Sequence, residues 1–245
     1  MKKYFLVSVF FLSLFNLFAQ ENSAIGDEAV QADSPAEEKA GFFSRIDKSL
    51  FFTLGPRLML NTDDKTKSAP SPVMYSFGAG GDFLFKNGFS LETQCSFFTN
   101  YYLWDGENSQ PAEVENRTAT AVSFMIDLTA GYTLKLGQKK NHLISAYAGT
   151  GFLIRHAFLS NGVDSDDTNR ITGSTASDDV SDINDSFFKN MNFFYPEIAL
   201  SYSYVLSPLW KAGLETRVYL PAGSFSEGRG VDNMIFSFAV KISYK

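Results

Sequence analysis

Residues 73–103 read VMYSFGAGGDFLFKNGFSLETQCSFFTNYYL, which is two alternating segments joined by three residues. Nearly every second residue of each segment is large and apolar, and this period of two is typical of a β-strand with two unlike faces. Between the segments, Lys86-Asn87-Gly88 supplies a turn in which Gly88 suits the left-handed position of a three-residue hairpin loop. The stretch therefore predicts a β-hairpin that places Asp82 opposite Glu92.

The same alternation recurs along most of the chain. The alternating segments span residues 50–60, 73–85, 89–103, 122–134, 144–158, 194–206, 210–220 and 234–244. Each is long enough for the roughly 9 to 11 tilted residues with which a strand crosses a bilayer. The connections alternate between short turns and long polar loops, of which the longest runs from about residue 159 to 190. This pattern predicts an all-β fold, an eight-stranded antiparallel up-and-down barrel with both termini at the short-turn end.

The charged residues of these segments all fall on one face of the alternation. They are Arg57, Asp82, Glu92, Asp127, Arg155, Glu197, Lys211, Glu215, Arg217 and Lys241. Five are basic and five are acidic, a balance that suits a closed interior in which each charge needs a partner. The opposite face carries large aliphatic residues, with tyrosine or tryptophan near the strand ends, as at a lipid interface. We therefore predict a transmembrane barrel with an interior charge network; the alternative is a soluble, lipocalin-like binding barrel.

The N-terminus has the pattern of an export signal. Lys2 and Lys3 precede an apolar stretch, and Ala19 offers a small residue for cleavage. Residues 20–47 follow as a segment poor in large apolar side chains, which predicts a flexible periplasmic tail. The predicted organisation is a signal peptide over 1–19, this tail over 20–47 and the barrel over 48–245.

Composition and isolated motifs exclude several classes of function. The net charge of −6 gives no basic patch for nucleic acid, and Cys95 is the only cysteine. A catalytic Ser-His pair would need a histidine beside a serine at the barrel wall, whereas His142 falls in a short turn and His156 on the lipid-facing register near the outer rim, so no catalytic residue is predicted. The aspartates of the longest loop lack the glycine and the closing glutamate of a calcium loop, which favours a solvated loop over weak cation binding. No cofactor or metal is predicted.

The last strand carries a resemblance to a known group. Barrel-assembly signals have a polar residue, a glycine, a hydrophobic residue and a final aromatic at set spacings; Ser237, Ala239, Ile242 and Tyr244 occupy those positions. Alanine replaces the glycine, and Lys245 follows the aromatic. With its eight alternating segments, the chain resembles small bacterial outer-membrane barrels such as the OmpA transmembrane domain, OmpX and OmpW. The phenylalanine-rich leader, which ends in LFAQE, also resembles those of spirochaete envelope proteins.

The resemblance implies a porin-like protein in the outer membrane of a Gram-negative-type envelope. Its implied partners are outer-membrane lipid, the barrel-assembly machinery and extracellular ligands that contact the loops. We predict a non-enzymatic barrel with an envelope-structural or surface-interaction role. The alternative is a narrow channel for ions or small apolar molecules; the interior of an eight-stranded barrel is just wide enough for side chains to fill, which favours a plugged barrel.

Overall fold

The computed structural model describes residues 46–62, 72–112 and 118–245. The predicted signal peptide over 1–19, and nearly all of the predicted tail over 20–47, lie outside the described residues. The strands are β1 (Ile46–Met59), β2 (Val73–Phe85), β3 (Phe89–Trp104), β4 (Ser109–Ala112), β5 (Ala119–Leu136), β6 (His142–Leu159), β7 (Phe194–Val205), β8 (Trp210–Tyr219) and β9 (Ile235–Tyr244). The helices are α1 (Ala176–Ser186) and α2 (Ala222–Ser226), and a 3₁₀ turn covers Lys189–Met191.

All strands except β4 form one closed antiparallel barrel. Each pairs with its neighbours along the chain, and β1 also pairs with β9, which closes the sheet. The predicted eight-stranded up-and-down barrel is confirmed. The short strand β4 was not predicted; it pairs with the end of β3, from Tyr101 opposite Ala112 to Trp104 opposite Ser109.

The hairpin that decides the fold has the predicted register. Gly88 has a φ of 91°, so the glycine occupies the left-handed position of the turn. Asp82 lies directly across from Glu92. The connections 86–88, 137–141 and 206–209 lie at one end of the barrel, hereafter the short-turn end, and the longer connections lie at the other, the long-loop end.

The outer surface of the barrel is apolar on every strand. Leu54 is 61% exposed, Leu200 58% and Phe238 57%. Tyr132, Tyr202, Tyr204, Trp210 and Tyr244 lie on the outside near the short-turn end, and the rings of Trp210 and Tyr244 are 5.0 Å apart. Within the described ranges, no helix combines the length and the apolar character needed to cross a membrane.

Candidate functional site in the barrel lumen

Five charged side chains meet in the barrel interior and form the ion-pair cluster: Glu92, Glu197, Glu215, Arg217 and Lys241. Arg217 donates from Nε to Glu215 Oε1 at 2.7 Å, from Nη1 to Glu197 Oε2 at 3.2 Å, and from Nη2 to Glu92 Oε1. Lys241 Nζ donates to Glu215 Oε2 at 3.0 Å and to Glu92 Oε2. All five side chains are buried. Two cations therefore hold three carboxylates, in contacts that use most of their donors and acceptors.

The ion-pair cluster spans the full width of the lumen. Arg217 lies on β8 and Glu92 on β3, and these strands are four positions apart in either direction around the closed ring. Glu197 lies one step diagonal from Arg217 on β7, since Arg217 is directly opposite Ala199. The side chains of facing walls thus meet at this level.

Three other predicted interior residues lie near the cluster without joining it. Asp127 is 1% exposed and accepts a hydrogen bond from Tyr219 Oη at 3.2 Å. Asp82 and Lys211 are half-buried towards the short-turn end, and neither has an ion pair within the described part of the chain. Lys211 Nζ instead donates to Ser49 Oγ at 3.1 Å.

The two remaining interior arginines make hydrogen bonds and ring contacts instead of ion pairs. Arg57 donates to Ser76 Oγ at 3.0 Å and Ser96 Oγ at 2.6 Å, and its guanidinium lies 4.9 Å from the ring centre of Phe98. Arg155 donates from Nη1 to Tyr102 Oη at 3.0 Å and from Nη2 to the carbonyl of Asn192 at 2.7 Å. The structure therefore brings five of the ten predicted charges into one cluster and leaves the others around it.

An apolar layer closes the lumen above the ion-pair cluster, towards the long-loop end. We call it the apolar ring: Met59, Met74, Phe98, Met125, Leu153, Tyr195, Tyr219 and Ile235, one side chain from each of the eight barrel strands. All eight are at most 6% exposed. Along β8, Tyr219 is the next inward position after Arg217, so the ring lies directly on the cluster. At this level the interior is filled with buried side chains.

The longest loop folds into a cap on the lumen. Ile183 and Phe187, four residues apart, pack against Tyr102, Ala119, Ala121 and Ala157 of the inner wall, and the rings of Phe187 and Tyr102 are 4.9 Å apart. The amide side chain of Asn184 binds both the backbone N–H and the carbonyl of Ala157 at 2.9 Å, which fixes α1 to β6. The prediction of a simply solvated loop is therefore wrong for α1.

The acidic residues of this loop have structural partners. Thr175 caps α1 by accepting a hydrogen bond from the backbone N–H of Asp178 at 3.2 Å. Asp179 is fully buried and accepts hydrogen bonds from Asn169 and Ser174, both at 2.5 Å. Among the described residues, no group of histidine, cysteine or acidic side chains is arranged to hold a metal ion.

The four residues of the proposed assembly signal lie on both faces of β9. Ser237 is buried in the lumen and Ala239 is half-buried at the next inward position, whereas Ile242 and Tyr244 are exposed on the outer surface. Their role in assembly stays a prediction.

Comparison with known proteins gives structural neighbours alone, because no protein-family model and no curated protein matches the chain. The following three are among the solved structures that are similar to it. Neisserial surface protein A has 10% identity over 82% of this chain and 98% of its own, with a TM-score of 0.46. Ail of Yersinia pestis, in complex with the heparin analogue sucrose octasulfate, has 8% identity over 81% and 98%, with a TM-score of 0.42. OprG of Pseudomonas aeruginosa has 10% identity over 80% and 94%, with a TM-score of 0.45. At identities this low, we assign no residue role from these proteins.

The apolar ring is the feature that sequence reasoning missed. Met59, Met74 and Met125 stand on the inward face, each near the long-loop end of its strand. Met74 and Met125 both lie twelve residues from the short turn that follows their strand, so counting from the turns would have placed these two at a similar depth. The cap also had a signal, because Thr175 precedes apolar residues at helical spacing, with Val180, Ile183 and Phe187 on one side.

Proposed function

We propose that the chain is a non-enzymatic outer-membrane barrel whose lumen is closed, with an envelope-structural or surface-interaction role. The outer surface supports the membrane location. Leucine, phenylalanine and tyrosine side chains are exposed on all eight strands, while the strand charges point inward or lie near the strand ends. Exposure of so large an apolar surface to water is unfavourable, whereas contact with lipid removes it from water. The distribution is opposite to that of a soluble, lipocalin-like barrel.

The observation that carries the proposal is the closure of the lumen at successive levels. The ion-pair cluster joins opposite walls, the apolar ring lies on it, and the cap formed by α1 packs over one side of the long-loop end. An ion that crosses would have to leave its water at the apolar ring, and a packed apolar constriction is a barrier to ions. This arrangement favours a structural or interaction role over the alternative of a narrow channel.

The topology supports an assignment of sides. In outer-membrane barrels the short turns face the periplasm and the long loops face outwards. Residues 1–19 would direct export, Ser237, Ala239, Ile242 and Tyr244 would be recognised by the barrel-assembly machinery, and the folded loops would meet extracellular ligands. Outer-membrane lipid is then the partner of the outer surface.

Reconstitution of the wild-type protein tests the proposal. We expect it to fractionate with the outer membrane and to migrate differently on a gel before and after boiling, as a detergent-resistant barrel does. In planar bilayers we expect no stable unitary conductance. Stable openings of the wild-type protein would contradict the closed lumen and establish the channel alternative, and the absence of a heat-dependent shift would contradict the membrane barrel.

A further inference from the structure

A polar cleft opens at the long-loop end of the barrel. It has a volume of about 680 Å³, and its walls come from the loops after β1, β3, β6 and β8. Its charged lining residues are the cations Lys189 and Arg229 and the carboxylates Glu107, Glu227 and Asp232. The volume is in the range of sites that hold small molecules.

A much smaller cavity adjoins this cleft. It measures about 10 Å³, room for one water molecule or one ligand oxygen, and it shares Asn108, Asn192 and Arg229 with the cleft. The buried side chains of Arg155 and Tyr195 also line it. The cleft thus has a deep polar end beside the inner wall of the barrel.

Arg155 is the unusual residue at this deep end. It is 4% exposed and has no ion pair within the described part of the chain, and its Nε has no hydrogen-bond partner. A buried cation is normally paired with a carboxylate or another anion. The guanidinium of Arg155 lies 4.1 Å from the ring centre of Phe187, so its flat face makes a cation–π contact. Its Nε–H has no acceptor.

We infer that the cleft binds a small acidic solute, with an oxyanion group, carboxylate or phosphate, at the deep end beside Arg155. Nη1 and Nη2 of Arg155 already donate to Tyr102 and Asn192, so its Nε–H is the donor left for one oxygen of the oxyanion, in a charge-assisted hydrogen bond. Arg229, by contrast, is held by Glu227 Oε2 at 2.7 Å and Asp232 Oδ2 at 2.6 Å, so its charge is already balanced. Lys189 adds an exposed cation on the cleft wall.

The backbone around the cleft supports a built site. Four residues other than glycine have positive φ in the described chain, and Asn190, Met191 and Asn233 are three of them. Asn190 and Asn233 line the cleft or its deep end, and Met191 lies between Asn190 and Asn192. Such conformations persist where the surrounding structure holds them, and they concentrate at binding sites. This inference gives a ligand class to the proposed surface-interaction role. It rests on the proposed function in one respect, that the long-loop end faces outwards, so that the solute enters from outside the cell.

Calorimetric titration of the folded full-length barrel, at constant ionic strength, tests the inference with two probes, sodium acetate and inorganic phosphate. We expect saturable binding of at least one probe, and the comparison distinguishes a carboxylate from a phosphate site. Acetamide, the neutral counterpart of acetate, should not bind. Arg155→Met should weaken binding at least tenfold, and Arg155→Lys, which keeps the charge but loses the Nε–H donor, should weaken it less. Arg170→Met, an exposed change on the same loop, is the matched control and should bind as wild type.

Lys189→Ala is a second test that should not disturb folding, because the Lys189 side chain is exposed. We expect it to weaken phosphate binding by about 2 to 3-fold, as for the loss of one exposed, screened charge. Unchanged binding in an Arg155→Met protein that keeps its heat-dependent gel shift would overturn the inference, as would the lack of saturable binding of both probes to wild type. A conducting wild-type protein that still binds through Arg155 would contradict only the closed lumen.

Discussion

Arg217 on β8 and Glu92 on β3 lie on diametrically opposite strands, and their side chains form an ion pair across the lumen. Neighbouring strands are already joined by backbone hydrogen bonds, but opposite walls have only side chains to connect them. Because Arg217 also binds Glu197 and Glu215, one guanidinium connects β3, β7 and β8. The ion-pair cluster therefore connects opposite walls of the barrel and also occupies its lumen.

Removing the central cation should destabilise the barrel more than removing one of its acids. We expect Arg217→Met to lower the free energy of unfolding by about 3 to 5 kcal/mol, because buried carboxylates lose their partner. Adding Glu92→Gln should recover part of that loss, since one of these charges is then neutral. Urea unfolding of the variants in lipid vesicles measures the coupling, and strictly additive effects would show that the two residues do not interact.

A lysine should prevent membrane assembly on the outer face of β7 and be tolerated on its inner face. Leu200→Lys places a cation on the outer surface and should cost roughly 2 to 4 kcal/mol if it lies at the bilayer midplane. Ser201→Lys is the control, because Ser201 faces the lumen directly across from Glu215. The yield of heat-modifiable barrel in the membrane fraction compares them. Equal yields would mean that the outer surface does not contact lipid.

The apolar ring should be sensitive to the loss of volume. Leu153 is 0% exposed, so Leu153→Ala should lower the free energy of unfolding by about 2 to 5 kcal/mol through the cavity that it leaves. Met125→Leu nearly conserves volume and should cost less than about 1.5 kcal/mol. The same urea titration serves for both. If the alanine variant were as stable as wild type, the ring would not be a packed core.

The cap should open without opening the lumen. Phe187→Ala removes the buried anchor of α1, so we expect faster cleavage of residues 160–193 by protease added outside intact cells. Phe188→Ala is a matched control, because Phe188 is 54% exposed and adjacent in sequence. Planar-bilayer recordings of the Phe187→Ala protein should stay silent, since the apolar ring and the ion-pair cluster remain below. Clear conductance in that variant would identify the cap as the sole barrier.

The alternation of two unlike faces was enough to predict the barrel, its turns and the pairing of Asp82 with Glu92, because each depends on local periodicity and turn length. A count from the short connection between β7 and β8 likewise brings Glu197 within one step of Arg217. The contact between Arg217 and Glu92 could not be obtained this way, since it joins strands that share no turn and depends on how the barrel curves. The packing of Ile183 and Phe187 was missed for a related reason: the segment is short and surrounded by aspartate, and its apolar residues become significant only once the wall beneath them is known.

Each barrel strand contributes one side chain to the apolar ring, so the ring is complete only when all eight strands are in place. A sheet that lacks either terminal strand also lacks Met59 or Ile235, which are neighbours across the closing seam between β1 and β9. No partly assembled barrel can then complete this layer, so the gain from burying it arrives only when the first strand meets the last. We therefore expect folding in a bilayer to be all-or-none, with a late barrier set by that encounter between distant parts of the chain.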